Sequence, residues 1–283
     1  MPTGSSSTLR RKQLAALLRR IREQRGVTIE HVARELEMHP TTLSRIETAF
    51  RGISARDLKP VLDVYEIRGE EREAMLTLAR ESGQRGWWQS YRDVLPPEYA
   101  THIGLEAEAV SIRTYHPQLV PGLLQTEAYA RAVIRVGRPN DTAEEISRRV
   151  KARLERQARL TSEPPLSLWV VLDEAVIRRQ VGGPAVMREQ LQHLAAVAEQ
   201  PGVLIQVLSF AAGEHAAMAA PFVLLEFQDY PMVVYVENVA SALFVEESQD
   251  VGPYTLVFQH LGATALPPKE SAAFIKAAAS ELV

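Results

Sequence analysis

Apolar residues return every three to four positions through roughly the first eighty residues, the spacing of amphipathic helices. Leu14, Leu17, Leu18 and Ile21 mark one face of a first helix, and Gly26 ends it. Thr28 is placed to cap a second helix whose inner face is Ile29 or Val32, with Ala33 and Leu36. After Glu37 and Met38, His39-Pro40 opens a third helix, proline being favoured at the first helical position. Leu43 and Ile46 supply its inner face, which leaves Thr41, Thr42, Ser44 and Arg45 pointing outward. Residues 53–67 and 70–81 read as a fourth and a fifth helix.

Beyond this region, helical stretches flank PQLVPGLL, where Pro117 and Pro121 bracket an extended piece. Thr142-x-x-Glu145 is a capping-box signature for a long helix with Ile146, Val150 and Leu154 on one face. From Leu166 the period changes. LSLWVVLDE, VLIQVLSF, PFVLLEF, MVVYVENV and SALFVEE read as strands, and a helix over 185–198 joins the first two. Residues 228–231 form a turn between two strands, and 254–261 and 269–282 close the chain as helices. The expected architecture is an all-α domain of five helices over 1–82, followed by an α+β domain over 83–283 with a mainly antiparallel sheet. Residues 83–96 form the junction, and only the first eight residues are low in complexity.

Composition narrows the classes. The 283 residues are 46% hydrophobic and 24% charged, as in an ordinary soluble protein. No apolar run reaches membrane-spanning length, and the basic opening lacks the apolar core of a secretory signal. With no cysteine there are no disulfides or thiolates, which suits the cytoplasm. The net charge of −3 hides an asymmetry: residues 1–59 hold twelve Lys and Arg against six Asp and Glu, a balance of +6, which leaves −9 for the remainder. A basic front on an acidic body suggests that the front meets a polyanion.

Two short helices joined by a tight turn inside a helical run make a helix-turn-helix, whose second helix enters the major groove of duplex DNA. Hydroxyls and a threonine methyl can touch base edges or phosphates, and an arginine can grip a guanine through O6 and N7. Such domains read two half-sites, so a homodimer on a near-palindrome is expected. Arg10, Arg11 and Arg51 are candidates for phosphate contacts, with Thr28, His39, Ser44 and Thr48 also assigned to the DNA backbone.

Residues 28–49 resemble the helix-turn-helix of Xre/Cro/CI-type repressors in Thr28, Ala33, Leu36, Met38, Leu43, Ser44, Arg45, Ile46 and Glu47. That resemblance implies Pro40, Thr41, Thr42 and Arg45 as the base-facing positions. Ile29 stands where that family often has a phosphate-binding Gln, Glu37 where the turn usually has Gly, and Thr48-Ala49 where Asn-Gly follows the third helix. Glu37 is therefore expected in a left-handed conformation at some cost. RGWWQSYRDVLPPEYATHIGLEAEA, RTYHPQLVPGLLQTEAYARAV, VLDEAVIRRQVGGPAVMREQL and VVYVEN are similar to the C-terminal domain of a large group of actinobacterial regulators, WhiJ-like or antitoxin-like, whose function is unknown. The resemblance implies a small companion protein encoded nearby, in a toxin–antitoxin-like pairing.

Other chemistry is thin. Asp173-Glu174 reads as a surface pair at a strand end, because neighbours on a strand face opposite ways. No HExxH, paired HxH, phosphate loop or nucleophile elbow is present, so neither enzyme activity, a metal nor a cofactor is expected. A ligand pocket lined by Arg113, Tyr115 and His116, with Pro121, Leu123 and Leu124 as apolar walls, stands as an alternative for the body. Adjacent Trp87 and Trp88 are expected to clasp the two domains, one ring to each.

Overall fold

The computed structural model describes residues 7–83, 86–239 and 241–282, in two compact units, 1–89 and 90–283. The division falls inside the expected 83–96 junction, of which Gln84 and Arg85 lie outside the described residues, as do residues 1–6 of the low-complexity start.

The first unit holds α1 (Ser7–Gln24), α2 (Ile29–Glu35), α3 (Pro40–Glu47), α4 (Ala55–Val64) and α5 (Gly69–Ser82). Gly26, at φ +65, stops α1 in a left-handed conformation that glycine adopts without strain. Thr28 caps α2 by accepting the His31 N–H at 3.2 Å. The periodic residues meet in one core of Leu14, Leu18, Val32, Leu43, Ile46 and Leu62, to which α4 and α5 add Leu58 and Met75. Burying each large apolar side chain contributes about 1.5–3 kcal/mol. The helix ends are sharp. Met38 N–H donates to Ala33 and Glu37 N–H to Arg34, a Schellman closure with Glu37 at φ +50 in the usual glycine place. The left-handed geometry expected for Glu37 is thus present, and Ala49 repeats it at φ +58 after α3.

The division between the units falls within a 3-10 turn, Trp87–Tyr91. The second unit holds α6 (Pro97–Glu108), β1 (Ser111–His116), α7 (Glu127–Gly137), α8 (Ala143–Arg156), β2 (Ser167–Asp173), α9 (Glu174–Arg178), α10 (Pro184–Val197), β3 (Val203–Leu208), β4 (Phe222–Glu226), β5 (Val233–Glu237), β6 (Ala242–Val245), α11 (Ser248–Thr264) and α12 (Pro268–Glu281). The strand order is β3-β2-β1-β4-β5-β6. The Thr142 capping box is complete, with side chain and backbone bonded reciprocally to Glu145.

The sheet is mixed: β1–β2 and β2–β3 are parallel, whereas β1–β4, β4–β5 and β5–β6 are antiparallel, so antiparallel pairing predominates, as expected, but does not run throughout. The reason is connectivity, since α7 and α8 carry the chain from β1 to β2 and α9 and α10 carry it from β2 to β3, crossovers long enough for parallel pairing. One expectation is corrected: β1 is a strand at the middle of the sheet, in a stretch read as helical. Asp173 closes β2 and Glu174 follows it, so the expected carboxylate pair does stand at a strand end. Asp173 caps α9, accepting the Ala175 N–H at 2.8 Å, and Glu174 opens that helix.

Strand alternation gives the sheet two covered faces. On one, Tyr115, Val171, Leu224 and Val234 pack with Phe258 and Leu261 of α11. On the other, Ile112, Leu168 and Val170 are buried, and His102 of α6 stacks on Tyr235 with centroids 4.1 Å apart.

Candidate nucleic-acid interface and the cavity of the second unit

Within the first unit, α3 stands at the surface with its two faces cleanly divided. Leu43 and Ile46 are buried, whereas Thr41 and Arg45 are exposed and Pro40, Thr42 and Ser44 are partly so. His39 caps the helix by accepting the Thr41 N–H at Nδ1, 3.3 Å away, so the neutral imidazole carries its proton on Nε2. Thr48 closes the other end, its hydroxyl donating to the Ser44 carbonyl at 2.9 Å. Thr28 and Arg51 are also exposed.

Arg10 and Arg11 are placed differently from the other cations. Arg10 is ion-paired with Glu81 at 3.2 Å and bonded to Gln13 at 3.0 Å. Arg11 is half-buried, its Nε has no partner among the described residues, and burial lowers its pKa. Arg45 and Arg51 are the more open of the four.

Two features of this surface were not among the sequence candidates. Phe50 is 75% exposed, and the Arg45 guanidinium lies over its ring at 5.4 Å from the centroid. Glu47, the last residue of α3, turns inward to accept from Arg22 Nε at 2.8 and 3.0 Å and from the Tyr65 hydroxyl at 3.3 Å. Burial, with the charge of Glu47, raises the Tyr65 phenol above its ordinary value. Glu47 therefore ties the end of α3 to α1 and to the residue after α4. A buried acid at the end of an otherwise amphipathic helix is the signal in the sequence that could have found it.

Trp87 and Trp88 pack edge to face with centroids 5.9 Å apart; Trp88 is buried and Trp87 is 37% exposed. A side chain at Gly86 would collide with the Trp88 ring at 2.3 Å.

In the second unit, Arg113, Tyr115 and His116 do not line one pocket. Arg113 and Tyr115 face α11's side of the sheet, where the Tyr115 hydroxyl lies 3.3 Å from His215 Nε2 and Arg113 lies 4.0 Å from Glu226. His116 is on the other face and lines a cavity of about 480 Å³, together with Pro121 and Leu123 but not Leu124. The physical reason is the two-residue period of a strand. In the lining of that cavity, Arg156 of α8 is buried and makes a bidentate bond to buried Glu106 of α6, at 2.8 and 2.6 Å. Arg156 also donates to the Tyr99 hydroxyl.

Comparison with known proteins agrees with this division. A family described as a helix-turn-helix domain matches residues 13–75, the five-helix unit of the DNA-binding type. Residues 99–277, more than half of the chain, match a second family, described as a domain of unknown function (DUF5753). No curated protein and no solved structure matches the chain. Among the described residues no helix is long and apolar enough to cross a membrane. The chain belongs to the DUF5753 family and carries a helix-turn-helix domain ahead of that family's domain.

Proposed function

We propose that this chain is a sequence-specific transcriptional regulator of the Xre/Cro/CI type, acting in the cytoplasm as a homodimer on a near-palindromic operator. The carrying observation is the divided α3: its apolar residues are fixed in the core while Thr41 and Arg45 stand free of it. In this reading α3 enters the major groove from its N-terminal end. Thr41, Thr42 and Pro40 meet base edges, Arg45 grips a guanine, and His39, Ser44, Thr48, Thr28 and Arg51 hold phosphates. The +6 balance of residues 1–59 supports the approach to DNA. With Arg10 engaged by Glu81, its part is a lesser one.

The second unit is read as a binding module rather than an enzyme, serving dimerisation and a small companion protein. Its acidity supports a surface kept away from DNA, and β6 is an edge strand with Leu243 55% exposed. Mapping the DNA bound in cells by the wild type and by Arg45→Ala tests the regulator reading. It predicts discrete sites sharing one near-palindrome, weakened in the variant. Uniform occupancy of the chromosome by both would overturn it.

A further inference from the structure

The cavity on the α6 side of the sheet holds more unused hydrogen-bonding capacity than a merely structural void requires. It runs along β1 past Ile112, Thr114 and His116 and into the loop over 117–125. Its volume, about 480 Å³, falls in the range of sites that enclose small molecules, roughly 300–1,000 Å³. The base is apolar, with Ile112, Leu168 and Leu123 all buried.

Buried polar atoms in folded proteins nearly always have partners. Six buried side-chain atoms lack one among the described residues, and three of them, His102 Nδ1, Arg153 Nε and the Tyr235 hydroxyl, belong to residues lining this cavity. Burial first, and then the negative charge of Glu237, raises the Tyr235 phenol above its ordinary value. His116, half-buried, lines the same cavity. Because Arg156 donates toward His102 Nε2 at 3.5 Å, the free Nδ1 of the neutral ring is a donor.

Charge then selects the ligand. The two acids at the cavity are Glu106 and Glu237, and the cations are Arg138, Arg153 and Arg156. Glu106 is committed to Arg156. Among the described residues Arg153 bonds only neutral groups, the Gln125 side-chain amide oxygen at 2.9 Å and the Tyr99 hydroxyl at 3.4 Å. Arg138 is exposed and forms no ion pair among the described residues. A single surplus positive charge beside apolar walls suits a monoanion with an apolar body better than a dianionic phosphate. A guanidinium fork matches a carboxylate in shape.

We propose that this cavity is a binding site for a small organic carboxylate, its head held by Arg153 and Arg138 with the His116 and His102 donors, its apolar body lying on Ile112, Leu168 and Leu123. The site is independent of the DNA reading, since binding is measured without DNA.

The test is calorimetry on the full-length protein with decanoate and 2-naphthoate, each beside its uncharged primary alcohol. At least one acid should bind with a Kd below about 100 µM, and its alcohol at least about tenfold more weakly, as expected for loss of a charge-assisted hydrogen bond. Arg153→Gln and Arg138→Gln should each weaken the acid by about fivefold or more and leave the alcohol unchanged. Arg138 is exposed, so its variant decides the matter should Arg153→Gln fail to fold. No binding of either acid at 1 mM, equal binding of acid and alcohol, or undiminished binding by Arg138→Gln each overturns the proposal.

Discussion

The guanidinium of Arg45 lies over the ring of Phe50, 5.4 Å from its centroid, although Phe50 is itself 75% exposed. A cation–π contact of this kind contributes about 0.5–1 kcal/mol at an exposed site. Its larger effect is on geometry, because it restricts a long side chain before any DNA is met. The Arg51 N–H, donating to the Arg45 carbonyl at 2.9 Å, folds the loop back so that Phe50 can reach.

Arg45→Ala is therefore expected to weaken binding to the preferred duplex by about 1–3 kcal/mol and to relax preference at one base pair. Phe50→Ala should cost less, about 0.5–1 kcal/mol, and keep the preference, since the reading group remains. Competition binding against single-base operator variants measures both. Unchanged affinity and preference in Arg45→Ala would remove Arg45 from base readout.

Glu47 predicts a different outcome. Glu47 is 6% exposed and its carboxylate is bonded to Arg22 and Tyr65, so removing it leaves a partly buried guanidinium without its counter-charge. Glu47→Ala should lose about 3–5 kcal/mol of stability in the first unit, measured by urea denaturation. A loss below about 1 kcal/mol would mean that the pair is exposed in solution.

The left-handed residue after α2 offers a gain instead. Glu37 sits at φ +50, which costs a non-glycine residue about 1–2 kcal/mol, and glycine returns part of that as chain entropy. Glu37→Gly is expected to raise the stability of the first unit by about 0.5–1 kcal/mol. A lower denaturation midpoint in the variant would show that the Glu37 side chain contributes something the turn geometry does not reveal.

The helices of the first unit were legible in the sequence because each carries its own signal: a period of 3.6, Thr28 as cap, Gly26 and Pro40 as punctuation. In the second unit Thr142 and Glu145 announced α8 for the same reason. β1 was not legible. SIRTYH is short, flanked by a helix and a proline, and polar at four positions, Ser111, Arg113, Thr114 and His116, that its two covered faces tolerate. Without β1 neither the β1–β2 parallel pair nor the separation of Tyr115 from His116 could be foreseen. The cavity was out of reach too, since Arg156 and Glu106 are fifty residues apart in the chain and meet only when α8 packs near α6. Phe50 escaped because nothing local marks an exposed aromatic in a loop as the partner of a residue on the preceding helix.

The two histidines of the cavity make the second unit sensitive to acid. Burial, reinforced by the charge of Arg156, pushes both His102 and His116 down to about 4, although the Glu106 carboxylate pulls His102 upward. In the unfolded chain they titrate near ~6.5. Between those values the unfolded state binds more protons, so stability is complete above about pH 6.5 and falls as the pH drops toward 4. The thermal midpoint of the second unit should decline between pH 7 and pH 5, and His116→Gln should decline less. An equal decline in wild type and variant would assign the acid sensitivity to other groups.

The central claim is that α3 reads DNA sequence, and selection of binding sites from a randomised duplex pool by the full-length protein tests it most directly. The account predicts one enriched near-palindromic motif with half-site centres about one helical turn apart, ~34 Å, and loss of preference at a symmetric base-pair position with Arg45→Ala. A selected pool indistinguishable from the starting pool, or the same motif enriched equally by Arg45→Ala, would contradict it.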